Sequence, residues 1–318
     1  MKLPKMKLVC GYRALLGILA ASLLSFPANA ADWKSATPLP ASNYLAAAES
    51  INGSIYVAGG QSGSGPTSTL QAFNPETNTW TALANMPLTL YQGDGAGVIN
   101  SQLYVAGGWN GPLPTTSLLM YDPPSNTWTT LAGMSHLSAC GATGVINSKL
   151  YVTTACNGYS GYSNNLDVYD PVANAWTSLP GSASAHGSPA FGVINDLFYV
   201  AGGTNASGGV SNVLEVYNPA TSAWKTLAPM KTAVQFSNSV VLNGQLYVFG
   251  GNNGTDYVTT VQAYNPYTNK WKTLPALPSA LGFSGGAVAY GLIFMEGGYG
   301  SSGSITTNQY TAIGPSIP

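Results

Sequence analysis

The chain has 318 residues, 7% of them charged and 45% hydrophobic, with 38 glycines and 21 prolines. That apolar content excludes a disordered chain, and a composition rich in Gly and Pro but poor in Glu, Lys and Arg favours turns over helices. With a formal charge of −1 and Arg13 as the single arginine, there is no basic patch to suit nucleic acid or an anionic membrane surface.

Residues 1–30 read as a secretory signal peptide. Lys2, Lys5, Lys7 and Arg13 precede an apolar run from Ala14 to Phe26, and Pro27-Ala28-Asn29-Ala30 supplies small residues for a cut after Ala30. The apolar run is short for a bilayer span, and no later segment is long and apolar enough to be one. Cys10 lies ahead of the apolar run, the wrong place for a lipid-attachment cysteine. The remaining chain, 31–318, carries six lysines against eleven acids, a net charge of −5. It is expected to be a single exported domain, periplasmic or secreted, monomeric and without a transmembrane segment.

Trp33 opens that domain on a lone strand. Trp80, Trp128, Trp176, Trp224 and Trp271 follow at intervals of 47, 48, 48, 48 and 47 residues. Such a period marks a repeat architecture. Glycine pairs fall in register at Gly59-Gly60, Gly107-Gly108, Gly202-Gly203, Gly250-Gly251 and Gly297-Gly298, with Thr154-Ala155 at the remaining position. An aromatic-Asn/Asp-Pro triplet precedes each later tryptophan, as in Phe73-Asn74-Pro75, Tyr121-Asp122-Pro123, Tyr169-Asp170-Pro171, Tyr217-Asn218-Pro219 and Tyr264-Asn265-Pro266.

Each unit reads as four short strands. In the fifth, Ser239 to Leu242 meets a tight hairpin at Asn243-Gly244, and Gln245 to Phe249 returns to the glycine pair. Val261 to Tyr264 is the third strand, Asn265-Pro266 starts a turn, and Trp271 sits on the fourth. This order resembles the kelch repeat over essentially all of residues 32–318. The resemblance implies an all-β fold, a six-bladed propeller with one blade per unit. The sixth unit has Gly297-Gly298 and Tyr310 but no following tryptophan, so the strand at Trp33 is expected to complete it beside Tyr310 and close the ring.

Cys140 and Cys156 both belong to the third unit. An exported protein permits a disulfide between them, and two free thiols are the alternative. With Asn147-Ser148 as the turn, Cys140 faces Ala155 and Cys156 faces Ala139, so the two are offset by one residue; a bulge at Thr154-Ala155 would let them meet.

The resemblance to kelch propellers also implies a binding face, formed by the loops after the second strands and those entering the first strands. Register places Gln61, Trp109, Asn110, Asn157, Asn205, Asn252 and Tyr299 in the former, and Tyr44, Tyr91, Gln92, Gln235, Phe236 and Phe283 in the latter. Tyr159, Tyr162 and Tyr257 lie in the variable loops, and Trp109 is the one tryptophan outside the repeat series. Aromatic rings and amides with few charges suit a neutral glycan or an extended peptide.

Three acids stand out. Glu49 occupies a first-strand column otherwise held by Gly97, Gly144, Gly192, Val240 and Ala287, and is expected to point into the channel. Glu296 precedes a glycine pair in the neighbouring unit and is expected near Glu49, while Asp94 stands at the channel mouth. With His136 or His186 these are the candidate catalytic groups, and two nearby carboxylates could instead hold a hard cation. Asp167 and Glu215 alternate along third strands and are expected to face solvent.

Enzyme motifs are otherwise missing from the sequence. Galactose-oxidase-like proteins resemble this architecture but hold copper with two histidines and two tyrosines, a set not supported here. Exported kelch sialic acid mutarotases match in compartment and blade count, but an acidic sugar favours arginine, and residues 31–318 have none. There is no nucleophile elbow, no zinc spacing and no phosphate loop. The expectation is a non-catalytic module, without cofactor or metal, that binds a glycan or an extracellular protein or peptide. The alternative is a carbohydrate-active enzyme, an epimerase or mutarotase or a lyase, using channel carboxylates.

Overall fold

The structure, a computed structural model, describes residues 32–92, 95–158 and 161–313. The expected signal peptide, Asp94 and Tyr159 lie outside the described residues. Among those described there are six four-stranded antiparallel sheets and no helix. Blade 1 is Ala47–Ile51, Ser54–Ala58, Leu70–Asn74 and Thr79–Leu83, and blades 2 to 5 repeat that order. The first strands of successive blades pack against one another around a common axis, the sixth against the first. This is a six-bladed β-propeller.

Local chemistry explains the blades. The inner hairpins turn at Asn52-Gly53, Asn100-Ser101, Asn147-Ser148, Asn195-Asp196, Asn243-Gly244 and Tyr290-Gly291, and both residues of every turn have φ between 50° and 83°. That is the geometry that matches strand twist in a two-residue hairpin, and asparagine tolerates it well. The Asn/Asp-Pro turns close when the side-chain oxygen caps a backbone N–H two residues on, as Asn74 does for Glu76 at 2.9 Å and Asn265 for Tyr267 at 2.9 Å.

The repeat residues staple neighbouring blades together. Trp80, Trp128, Trp176, Trp224 and Trp271 each donate the indole N–H to a carbonyl of the preceding blade: Thr37, Ala84, Ala132, Pro180 and Ala228, at 2.7 to 2.9 Å. Asn78, Asn126, Asn174 and Asn269 accept the N–H of that same residue in four of the five cases. In the fifth, Ser222 replaces asparagine where the partner is Pro180, which has no N–H to give. Within each of blades 1 to 5 the tryptophan ring packs on the aromatic of the third strand, with centroids 5.1 to 5.3 Å apart. Each such pair contributes about 0.5–1.5 kcal/mol beyond its buried area.

The glycine pairs let one blade touch the next. Gly250 has φ 58°, and a Cβ there would lie 2.1 Å from the Leu281 carbonyl oxygen. Gly251 donates its N–H to that carbonyl at 2.8 Å. In blade 3, without glycine, the second strand continues through Lys149–Cys156, with a register shift between Thr154 and Cys156.

Lys34–Ser35 closes blade 6 as its fourth strand, as expected. The register differs by one residue from the sequence reading. Tyr310 pairs with Lys34 and Phe294, so Thr311, not Tyr310, holds the position of the repeat tyrosine. Trp33 therefore has no tyrosine beneath it and packs edge-on against Phe249 of blade 5 at 5.9 Å.

Asp167 and Glu215 do not face solvent: they are 0% and 1% exposed. Both faces of a third strand are covered by neighbouring blades, so alternation there does not separate core from water. Asp167 reaches Nδ1 of His136 at 2.9 Å and accepts from Ser178 Oγ at 2.7 Å. Glu215 reaches Nε2 of the buried His186 at 2.9 Å and accepts the N–H groups of Ala183 and Ser184. Gln262, one blade on, grips the backbone of Thr232 through both ends of its amide. These side chains latch each blade to the loop entering it from the blade before.

Candidate binding site at the channel mouth

Six residues, one per blade, ring one end of the channel: Leu45, Gln92, Cys140, Ser188, Phe236 and Phe283. Each has a left-handed backbone, φ 48° to 60°. Each N–H donates to the carbonyl of the ring member in the preceding blade, from Gln92 to Leu45 around to Leu45 on Phe283, at 2.6 to 3.0 Å. Side-chain-bearing residues adopt this conformation at a cost of about 1 kcal/mol or more each, and such strain persists where surrounding structure holds it. Here the closed hydrogen-bonded ring holds it, and it directs six side chains to the mouth.

Those side chains differ around the ring. Phe236 and Phe283 stack at 4.3 Å. Gln92 Nε2 donates to Ser188 Oγ at 3.0 Å, and Cys140 forms a disulfide with Cys156, Cα atoms 5.6 Å apart. The disulfide solves the offset in two ways. Ala139 still pairs with Cys156, but the left-handed turn at Cys140 re-aims its side chain, and a register shift falls between Thr154 and Cys156 on the third-strand side.

Just outside the ring, each first and second strand is joined by one further antiparallel bridge: Tyr44 with Gln61, Tyr91 with Trp109, Ala139 with Cys156, Gly187 with Thr204, Gln235 with Asn252 and Gly282 with Tyr299. These bridges bring most of the expected binding-face residues to one end of the propeller. Tyr44, Tyr257 and Tyr299 join Phe236 and Phe283 in a five-ring cluster spanning blades 5, 6 and 1, with centroid separations of 4.3 to 6.3 Å. All five rings are half-buried. Burial, then the neighbouring phenols of Tyr299 and Tyr91, push the Tyr44 hydroxyl above its ordinary pKa; burial and the phenols of Tyr299 and Tyr44 do the same to Tyr257. The cluster thus presents apolar faces and protonated hydroxyls side by side. Tyr257 was the hardest member to find from sequence, because its variable loop has no repeat register.

The other expected residues stand apart. Trp109 and the exposed Asn110 form a small hairpin with Leu113–Pro114, and the Tyr91 hydroxyl donates to the Gly111 carbonyl at 3.2 Å. Asn205 and Asn252 cap the N–H groups of their own loops, and Gln235 accepts the Thr204 hydroxyl. Asn157 is half-buried beside the disulfide.

Behind the ring lies a cavity of about 150 Å³ lined by Ala46, Gln92, Ser188, Phe191, Ser237 and Glu49, among others. Glu49 is the one charged side chain lining the channel among the described residues. Burial pushes its carboxyl up to about 7, offset only partly by the Ser50 N–H. A carboxyl raised in the folded state costs stability as pH climbs from the ordinary 4.5 towards 7. Glu49→Gln is therefore expected to match the parent at pH 4 and to exceed it by about 1–2 kcal/mol at pH 8 in chemical denaturation.

The other catalytic candidates do not join Glu49. Glu296 is 2% exposed, lies between blades 6 and 1, and does not line the channel. His136 and His186 are bound up in the inter-blade latches. The described residues therefore bring no histidine and no second carboxylate to Glu49.

The model of the Attractin/LZTR1 β-propeller family matches residues 55–280. No curated protein matches the sequence. Among solved structures, the one titled "Structure of YjhT" superposes with a TM-score of 0.78 at 17% identity, covering 88% of this chain and 98% of that one, which is a likeness of fold alone. The repeat units, the blade order and the family match agree, and the chain belongs to the kelch-type Attractin/LZTR1 β-propeller family.

Proposed function

We propose that the chain is an exported, non-catalytic binding module that takes a neutral glycan or a peptide on the loop face at the channel mouth. One observation carries the reading: five aromatic rings in mutual contact, half-exposed, bearing phenol hydroxyls and flanked by amides, on a ring of backbone that is held fixed. Sugar rings and extended peptides bind such surfaces through stacking and hydrogen bonds without needing charge pairs. Pre-organisation lowers the ordering cost of binding. Export is supported by the disulfide and by the signal-like residues 1–30.

A glycan array followed by calorimetry on the best ligand tests this. The double variant Tyr257→Ala, Tyr299→Ala is expected to weaken binding at least tenfold while the melting temperature changes little. Undiminished affinity in that variant would place the ligand elsewhere, and Tyr91→Ala with Trp109→Ala then tests the blade 2 side of the mouth. A second reading, a carbohydrate-active epimerase, mutarotase or lyase, draws on Glu49, a carboxyl titrating near neutrality in a cavity. It requires turnover of the bound sugar that Glu49→Gln abolishes.

A further inference from the structure

The interface that closes the ring, between blades 6 and 1, differs from the others in a specific way. Among the described residues eight buried side-chain polar atoms lack a hydrogen-bond partner, and five of them are both Glu296 carboxylate oxygens and the amide oxygens of Asn43, Asn308 and Gln71. All five are acceptors. Glu296, Asn43 and Asn308 are 2%, 6% and 2% exposed.

Strand register puts these groups on one face. Phe294 of blade 6 packs on Phe73 of blade 1 at 5.9 Å. Glu296 lies two residues from Phe294 and Gln71 two from Phe73, so both share that inter-blade face. Asn308 is the direct ladder partner of Glu296. Asn43 bridges the blades: its carbonyl accepts the Gly298 N–H of blade 6, and its Nδ2 donates to the Gly59 carbonyl of blade 1.

The repeat shows that these positions meet. The residues equivalent to Glu296, Asn308 and Asn43 are Ala58, Leu70 and Leu90 between blades 1 and 2, and Ala201, Leu214 and Val234 between blades 4 and 5. Each trio packs within a single apolar cluster. The residues equivalent to Asn43 and Gln71 between blades 3 and 4 are His186 and Glu215, 2.9 Å apart and fully paired. At the closing interface the same places hold five unpartnered oxygen acceptors, and the amide N–H groups of Asn43 and Asn308 are already spent on the Gly59 and Thr37 carbonyls.

We propose that this interface binds a hard cation of the calcium or sodium class through the Glu296 carboxylate and the side-chain oxygens of Asn308, Asn43 and Gln71. Carboxylate and amide oxygens are the ligands such ions take, and a surplus of buried acceptors without donors is what a cation relieves. A single carboxylate among neutral amides suits flexible calcium coordination better than the octahedron magnesium requires. A ligating carboxylate must be deprotonated, so affinity would rise with pH. The ion would bind as the N-terminal strand closes the ring, tying closure to its presence. This reading is independent of the binding face.

The test is thermal unfolding of the chelator-stripped protein in choline buffer at pH 8, titrated with CaCl2, NaCl and MgCl2. The expected result is a saturable rise of about 5 °C with calcium or sodium. The rise should be lost in Glu296→Gln and in Glu296→Leu, which gives the position the apolar character of its equivalents Ala58, Ala106, Ala201 and Phe249, and kept in Glu49→Gln. If neither calcium nor sodium shifts the parent's melting temperature, or both Glu296 variants keep the shift, the proposal fails, and a protonated Glu296 with buried water accounts for the oxygens.

Discussion

His186→Ala should lower stability by about 3–5 kcal/mol, the largest loss expected of any single polar substitution in this propeller. The geometry sets the magnitude. His186 Nδ1 donates to the Gly202 carbonyl at 2.8 Å, and Nε2 meets the Glu215 carboxylate at 2.9 Å, with both side chains almost fully buried. Removing the imidazole leaves a buried carboxylate facing two backbone N–H groups and an orphaned carbonyl in the wall between blades 3 and 4. Glu215→Leu removes the buried charge but leaves the N–H groups of Ala183 and Ser184 and Nε2 of His186 without their partner, so it too is expected to destabilise. Urea denaturation at pH 7 measures both, and a loss below 1 kcal/mol for His186→Ala would show that the latch is not under load.

The same pair fixes how stability responds to acid. Burial alone would raise the Glu215 carboxyl, but the hydrogen bonds from His186 and from the N–H groups of Ser184 and Ala183 outweigh it and hold it below its ordinary 4.5. The unfolded chain then takes up the proton first as pH falls. The stabilisation is complete above about 4.5 and is lost as pH drops through the lower folded value. Glu49 and Glu296 have the opposite sign, since both are raised in the fold. The melting temperature should therefore fall on acidification below pH 4.5, and Glu215→Leu should lack that part of the fall.

Reduction of Cys140–Cys156 is the second large effect, about 3 kcal/mol for a loop of this length in the chain-entropy model. Its local consequence matters more for function. Cys140 is a member of the hydrogen-bonded ring, donating to Gln92 at 3.0 Å and accepting from Ser188 at 2.6 Å, and its left-handed backbone has no glycine to ease it. Without the disulfide, hydrogen exchange should speed up at Cys140 and Ser188 well before blades 5 and 6 respond. Uniform protection before and after reduction would mean that the ring stands without the bond.

The sequence by itself determined the architecture. The tryptophan period, the Asn-containing hairpin turns and the Asn/Asp-Pro turns are local signals, each with a backbone conformation that its residues favour, and six copies in register leave little choice of fold. Counting the ends showed which strand closes the last blade. The ends of the inner strands were legible for the same reason, since hairpin register follows from turn position; that register set Cys140 and Cys156 one residue apart, and the left-handed backbone at Cys140 is what lets them pair.

Tertiary structure decided the rest. Leu45, Gln92, Cys140, Ser188, Phe236 and Phe283 are five different residue types, because what unites them is a backbone conformation imposed by hydrogen bonds between blades. Asp167, Glu215, Glu296 and Gln71 were beyond reach of an alternation argument, which sorts side chains between two faces but cannot say that neighbouring blades cover both. The aromatic cluster needed the ring to bring blade 1 beside blades 5 and 6: Tyr44 and Tyr299 lie at opposite ends of the chain, and only closure sets their rings 5.2 Å apart.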